Sequence, residues 1–192
     1  MKQTESAVSP VIGVMLMIVV TIIIAAIVSA FAGDMSGGQS TAPVASISCS
    51  IVKNDANNAT LTMTHLSGDP INTANTRIIV SYKDANGNPK QARTSGSSVS
   101  ILNSAGTSVT VTVPYLADPR AGSLTVAGSV TNISYGSYVW NTGQVITTGN
   151  AAGFAAVLGV AASDVSTGDT FNIKLVDTTS QKTIFEKDVS VR

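Results

Sequence analysis

The chain divides into an unbroken apolar stretch near its N-terminus and a longer part in which apolar and polar residues alternate. No charged residue lies between Glu5 and Asp34, and Val, Ile, Met, Leu and Ala dominate residues 7–32. As a helix, these 26 residues would extend about 39 Å, whereas the hydrocarbon core of a bilayer is about 30 Å thick. The pattern therefore predicts a helix over residues 7–33 that is long enough to span a membrane.

Local signals mark both ends of this predicted helix. Ser9 can cap its first turn and Pro10 suits the first helical position. Gly33 and the later Gly37-Gly38 pair favour its end. Residues 1–6 are then a short polar leader, and residues 34–44 are a flexible linker rich in Gly, Ser and Thr.

The rest of the chain has the alternation typical of strands with one buried face. The segments with this pattern are Ser108–Val113, Phe171–Leu175 and Lys187–Val191, with Arg77–Tyr82 and Ser123–Ala127 as further candidates. Asn86-Gly87 predicts a hairpin between a strand ending near Tyr82 and one over residues 90–94. We therefore predict an α+β protein in which residues 45–192 form a mainly antiparallel β-sandwich. Residues 151–162 fit a short helix and an apolar loop equally well.

The composition argues against several classes of function. Charged residues make up 11% of the chain and the formal net charge is zero, so no basic surface is predicted to bind nucleic acid. Ser, Thr, Asn and Gly carry the polar character instead, which is common on secreted proteins. Cys49 is the only cysteine, which excludes an internal disulfide, and its place in an alternating segment predicts a buried core residue.

Catalytic chemistry has little support in the sequence. His65 is the only histidine, and although it could pair with Asp69, no nucleophile or metal-ligand spacing surrounds it. A hydrogen bond from His65 that stabilises the adjacent turn is the favoured interpretation. The aspartates lie near predicted turns without the spacing of a calcium loop. We therefore predict no enzyme activity, catalytic residue, cofactor or metal site.

The apolar segment allows three fates. It could be an ordinary signal peptide cut after Ala32, although it is far longer than the usual apolar region of such peptides. It could be a permanent membrane anchor with a weak orientation signal. In the third case a short leader is removed and the helix is retained in the mature protein.

The residues around the start of the helix favour the third fate. Residues 7–17 read A-V-S-P-V-I-G-V-M-L-M and closely resemble the N-terminal motif of archaeal type IV pilins, typically V-S-P-V-I-G-V-I-L-M. The resemblance implies that a membrane prepilin peptidase cuts near Ser6 and Ala7. Bacterial pilins usually carry a glutamate at the fifth mature position, where this chain has Val11, so their charge-pairing rules are not carried over.

Weaker motifs extend the resemblance into the second part of the chain. Residues 61–71 resemble the H-x-G-G-D-x-I segment of that family, with Ser67 in place of the first glycine. Trp140–Gly143 and Ser166–Asp169 also fit the family's order. The resemblance implies a homo-oligomeric helical filament on the cell surface, used for adhesion, whose subunits sit in the cytoplasmic membrane before the pilus assembly machinery uses them. An archaellin of a motility filament, and an anchored or secreted binding module that never polymerises, stay open as alternatives.

Small residues give the helix a physical means of self-association. Ala25 and Ser29 are four residues apart, as are Ala26 and Ala30, so each pair shares a face on which helices can approach closely. We assign the assembly role to Pro10, Gly13, Ile23, Ala25, Ala26, Ser29 and Ala30. Two sequons, at Asn58 and Asn132, make these asparagines candidate glycan acceptors in predicted turns or loops.

The retained-helix hypothesis predicts a mature N-terminus at or next to Ala7. Terminal sequencing of the protein recovered from the cell surface measures this directly. A mature chain that starts at Gly33 would instead establish an ordinary signal peptide, and the helix could then play no part in the exported protein.

Overall fold

The computed structural model describes residues 8–36, 41–84, 86–102, 106, 108–117, 128–129 and 133–192. The chain falls into two units, which divide between Ser40 and Thr41. The predicted strand at 123–127 lies outside the described residues.

The first unit contains one long helix, α1, over Val8–Ser36. It begins in the V-S-P segment and passes through Gly33, the predicted end, to finish at Ser36. Gly33 is not among the glycines with a positive φ. It therefore lacks the left-handed conformation with which glycine commonly ends a helix, and the backbone continues for three more residues.

The second unit, which we call the β domain, consists mainly of strands. In chain order, the strands among the described residues are β1 Ala45–Asp55, β2 Asn58–Gly68, β3 Ile71–Asn72, β4 Thr76–Lys83, β5 Pro89–Thr94, β6 Ser97–Leu102, β7 Ser108–Val113, β8 Tyr115–Leu116, β9 Gly128–Ser129, β10 Val139–Trp140, β11 Val145–Thr147, β12 Thr170–Asp177 and β13 Thr183–Ser190. A second helix, α2, covers Ala151–Leu158, and 3-10 turns cover Thr73–Asn75 and Ala162–Asp164.

The described strands form two four-stranded sheets, one three-stranded sheet and one two-stranded sheet. Their orders are β1-β2-β11-β8, β13-β12-β4-β5, β6-β7-β9 and β10-β3. Every described pair of strands is antiparallel except β7 with β9, which is parallel. The structure thus confirms the predicted class, an apolar helix followed by mostly antiparallel sheets.

The first strand of the domain also contacts the residues that follow β13. Ile51 bridges Val191 in parallel, the Lys53 backbone N–H donates to the Arg192 carbonyl at 2.8 Å, and the Arg192 N–H donates to the Ile51 carbonyl at 3.1 Å. These bonds pair the second side of β1 at Ile51 and Lys53, and they connect the two four-stranded sheets there.

Alternation of apolar and polar residues explains which face of each strand is buried. In β7 the residues Val109, Val111 and Val113 are buried while Ser108 and Thr110 are exposed, over the same bounds that the sequence predicts. β12 and β4 extend slightly beyond their predicted segments. The predicted strand at 187–191 covers only the second half of β13 and runs one residue past its end.

The Asn86-Gly87 hairpin joins β4 to β5 as predicted, with Lys83 paired to Pro89. Gly87 has a φ of 79°, which favours glycine. The Asp84 carboxylate accepts hydrogen bonds from the backbone N–H groups of Asn86 at 3.0 Å and Asn88 at 2.8 Å. This side chain therefore fixes the turn from within.

Residues 151–158 form a helix because both of its ends are capped. The Asn150 side chain accepts from the Gly153 N–H at 2.8 Å, and Gly159 ends the helix with a φ of 73°. Phe154 and Leu158 are fully buried. The buried side chains of α2 and of the sheets make one cluster.

Cys49 belongs to that cluster, as the sequence predicts. Burial raises the pKa of its thiol to about 12, against a weaker opposing influence of Lys187. The thiol is therefore un-ionised at neutral pH and acts as a small apolar core group.

Candidate functional site

The helix α1 presents apolar side chains on every side. Each large apolar side chain from Val11 to Phe31 is between 45% and 70% exposed in the isolated chain. Residues 11–33 are long and apolar enough to cross a membrane. A helix without a polar face is stable only inside lipid or protein, because water would contact apolar surface all round it.

The one hydroxyl in the middle of α1 is satisfied by its own helix. Thr21 Oγ1 donates to the Ile18 carbonyl at 2.8 Å. A polar group that bonds within the segment does not need water, so it can enter lipid or a packed helix bundle at little cost.

The proposed assembly residues lie along this helix at exposed positions. The structure places Gly13, Ile23, Ala25, Ala26, Ser29 and Ala30 in α1, and each of these residues is exposed in the isolated chain. Pro10 lies in its first turn. Ser6 and Ala7, the predicted processing site, lie outside the described residues.

A second group of motif residues forms hydrogen bonds at the point where the chain enters the β domain. The Asp69 carboxylate accepts from the Val44 N–H at 3.0 Å, and the Asp69 N–H donates to the Val44 carbonyl at 2.9 Å. Both backbone groups of Val44 are thus bonded to one residue 25 positions later. We call these contacts, with Ala45 and Gly68, the domain entrance.

Gly68 is required at the domain entrance for two reasons. Its φ is 112°, and a Cβ at this position would lie 2.3 Å from the Val44 carbonyl oxygen. Ser67, which replaces the first glycine of the family segment, is exposed and is not among the residues with a positive φ. A serine at position 67 therefore fits the backbone conformation without strain.

His65 does not stabilise the turn, and this prediction is wrong. The alternation of β2 directs His65 into the core with Leu61 and Met63, where it is fully buried. Neither of its ring nitrogens has a hydrogen-bond partner in the described part of the chain, and its ring lies 5.4 Å from that of Trp140. Asp69 lies beyond the end of the strand and bonds to Val44 instead.

Two motif segments that are distant in sequence meet around His65. The Gly143 N–H donates to the His65 carbonyl at 2.7 Å, and the Gln144 carbonyl accepts from the His65 N–H and from Trp140 Nε1, each at 3.0 Å. Thr142 Oγ1 reaches the Gly68 carbonyl at 3.5 Å. The residues of the two motif segments are therefore hydrogen-bonded to one another next to the domain entrance.

The sequons are only partly described. Asn58 is the first residue of β2 and is half-buried, which corrects its predicted place in a turn or loop. Its Oδ1 atom is buried, and no described group bonds to it. Asn132 lies outside the described residues. Within the described ranges, no group of three or more His, Cys, Asp or Glu side chains is arranged to hold a metal ion.

Comparison with known proteins supports the pilin resemblance. A family model described as archaeal type IV pilin, N-terminal, matches residues 6–47, which cover α1 and the start of β1. Pilins are structural and non-enzymatic proteins. The chain is also 34% identical over 84 residues to an uncharacterized protein of Archaeoglobus fulgidus. That match covers 43% of this chain and 57% of the relative, a little over half of its length.

The domain entrance predicts a graded response to substitution. Gly68→Ala should destabilise the β domain by more than the about 1–3 kcal/mol expected for a strained backbone conformation, because the new Cβ also meets the Val44 carbonyl. Asp69→Ala should cost about 1 kcal/mol through the lost bond to Val44. Thermal unfolding of the full chain in detergent measures both effects.

Gly87→Ala is the matched control. Gly87 also has a positive φ, but a Cβ there meets no atom within 4 Å. It should therefore show the cost of backbone strain alone. Equal losses of stability in the Gly68 and Gly87 variants would show that the close approach at the domain entrance contributes nothing.

Proposed function

We propose that this chain, whose residues 6–47 match the archaeal type IV pilin N-terminal model, is a structural subunit of an extracellular filament. Copies of α1 form the core of the filament and the β domains cover it. The observation that carries the proposal is a helix apolar on all sides, with the pilin N-terminal match running through it.

The energetics of the helix support self-assembly outside the membrane. Burying apolar surface stabilises by about 25 cal/mol per Å². Once α1 leaves the bilayer, the large side chains from Val11 to Phe31 would contact water unless another apolar surface replaces the lipid. Other copies of the same helix are the simplest such surface.

The small residues of α1 allow close packing between copies. Ala25 with Ser29, and Ala26 with Ala30, form two adjacent stripes of small residues, along which neighbouring helices can approach closely. Association of this kind gains dispersion contacts in lipid and in a filament core alike, so one helix serves both environments.

The proposed life cycle has three stages. The subunit first sits in the cytoplasmic membrane through α1, a prepilin peptidase then removes the leader near Ser6 and Ala7, and the pilus assembly machinery finally transfers the helix into the filament. A polymer that repeats one weak binding domain many times adheres strongly through multivalency. Adhesion to a surface is therefore the role that we propose for the filament.

We also propose that at least one of Asn58 and Asn132 carries a glycan in the native host. Intact-mass measurement of the surface protein should exceed the mass of the bare mature polypeptide. Thr60→Val removes the first acceptor sequence whereas Thr60→Ser keeps it, and Asn132→Gln removes the second. A native mass equal to that of the bare polypeptide would contradict this proposal.

Substitution in the middle of the helix tests the assembly proposal. Ile23→Asp should abolish filaments, because an unpaired carboxylate in an apolar core is very costly. Ile23→Val keeps the apolar character and should assemble like the unaltered protein. Electron microscopy of surface filaments, with the N-terminus of the subunit verified, is the measurement.

The β domain provides the complementary control. A chain that begins at Ala45 should be a soluble, folded monomer, because association depends on the helix. Normal assembly of a correctly processed Ile23→Asp protein would exclude α1 as the filament core. A properly processed native protein without filaments would favour an anchored binding module, and a rotating filament would identify an archaellin.

A further inference from the structure

The two four-stranded sheets of the β domain have outer faces of different chemistry. In β1 and β2, alternation directs the odd-numbered side chains from Ile47 to Ile51 and from Leu61 to His65 into the core. The even-numbered residues therefore line the outer face of this sheet. We call the outer face of β1, β2 and β11 the neutral face, and its residues are Ser46, Ser48, Ser50, Val52, Thr60, Thr62, Thr64, Leu66, Val145 and Thr147.

Strand pairing arranges the neutral face in rows. In one row Ser50 lies opposite Thr62, and Thr62 lies opposite Thr147. In the row beside it, Ser48 lies opposite Thr64. Residues that are paired across strands point to the same face, so their hydroxyl groups form a regular array. Each hydroxyl can both donate and accept a hydrogen bond.

The neutral face combines these hydroxyls with exposed apolar side chains and has no ionic group. Residues 46–52, 60–66 and 145–147 contain no Asp, Glu, Lys or Arg. Leu66 is 54% exposed and Val52 is 41% exposed, and Val44, just before β1, is 77% exposed. Removing water from hydroxyl and apolar groups costs far less than removing it from charges. Another protein surface can therefore cover this face at low cost.

The outer face of the β13-β12-β4-β5 sheet, which we call the charged face, has the opposite character. One row across it consists of Glu186, Lys174, Ile79 and Arg93. Lys174 pairs with Glu186 at 2.9 Å, and Asn172 Nδ2 donates to Asp188 Oδ1 at 2.9 Å. The charged side chains on this face include Arg77, Arg93, Lys174, Glu186 and Asp188. Covering them would remove water from several ions, so this face suits contact with solvent.

The neutral face alone is too small to hold two free domains together. From Ser46 to Val52 the strand extends about 20 Å, and three neighbouring strands with their side chains are about 15 Å wide. The resulting area of about 300 Å² is well below the about 800 Å² per partner that a standard stable complex buries. A contact through this face therefore needs a second interaction that gathers the copies.

The helix α1 provides that second interaction in the proposed filament. Bundled helices keep the attached β domains at a high local concentration, so a weak contact between domains becomes populated. A chain that begins at Ala45 lacks the helix and stays monomeric, in agreement with its small neutral face. The molecules that α1 gathers are copies of the same chain, and their β domains are the surfaces nearest to hand.

We propose that, in the filament, the neutral face packs against the β domain of a second copy of this chain, while the charged face stays in water. This inference rests on the proposed filament and deepens it, because it names the surface through which neighbouring domains touch. A contact between this face and a different surface of the next copy repeats without closing, as a helical polymer requires.

Single cysteines measure directly which face is covered. Ser48→Cys places a thiol on the neutral face, and Gln91→Cys is the matched control on the charged face, since both residues are exposed and lie in edge strands. The native Cys49 is buried, with its pKa raised to about 12 by that burial, so it does not compete for the reagent. Each rate of maleimide labelling is compared between intact filaments and the same subunits dispersed in detergent.

We expect filament assembly to slow the labelling of Ser48→Cys at least tenfold and to leave that of Gln91→Cys nearly unchanged. Equal slowing at both positions, or no slowing at Ser48→Cys, would overturn the proposal. Slow labelling of Ser48→Cys that persists in dispersed subunits would also overturn it, because the cover would then belong to the subunit itself and not to a neighbour.

A charge placed on each face provides the second test. Thr62 and Ser81 are both half-buried hydroxyl residues on the outer faces of inner strands. Thr62→Lys should reduce the number of filaments seen by electron microscopy at least tenfold, whereas Ser81→Lys should assemble like the unaltered protein. Thermal unfolding in detergent verifies that both variants are folded. Normal filaments of Thr62→Lys would contradict the proposed contact.

These measurements separate the inference from the proposed function. Native protein that forms no filaments would overturn the filament proposal itself. Normal filaments whose neutral face stays open to the reagent would overturn the contact between domains and leave the filament proposal standing.

Discussion

The structure depends on the need to cover an apolar helix that has no polar side. From Val11 to Phe31 every large side chain of α1 is apolar and exposed, so the isolated chain cannot be the form that exists in water. A bilayer can cover this surface, and so can further copies of the helix. Under the proposed function, this constraint explains why one segment can serve first as a membrane anchor and then as a filament core, and why the domain beyond Thr41 must fold on its own contacts.

The β domain folds on its own contacts. Its strands alternate buried apolar residues with exposed polar ones, and at a few glycines two backbone segments lie very close together. Its sheets and α2 bury one cluster of side chains. Glycines occupy positions at which a Cβ would clash with a neighbouring carbonyl oxygen. A Cβ on Gly68 would lie 2.3 Å from the Val44 carbonyl oxygen, and a Cβ on Gly153 would lie 2.0 Å from the Thr148 carbonyl oxygen. The motif residues around Trp140 and His65 support the domain entrance from within. They are part of the architecture of the domain.

Periodicity made part of this structure predictable. The long apolar run gave α1, and strict alternation gave β7 and the centre of β12. The same alternation directs His65 inward after Leu61 and Met63, a signal that the turn interpretation overlooked. The caps of α2 were also visible as Asn150 and Gly159, but eight apolar residues alone do not distinguish a helix from a loop. Contacts between distant segments, such as Asp69 with Val44 or Asp188 with Asn172, leave no local pattern and needed the structure.

The arrangement of β1 has a mechanical consequence for a chain tethered at Val44. β1 is bonded along one edge to β2 and along the other to Val191 and Arg192. Tension that acts along this strand loads those hydrogen bonds in parallel, so they must fail together rather than open one after another. The hydrogen bonds between Asp69 and Val44 bear this tension before it reaches the hydrogen bonds of β1. A domain held in this way resists extension far better than one whose first strand could be peeled from a sheet edge.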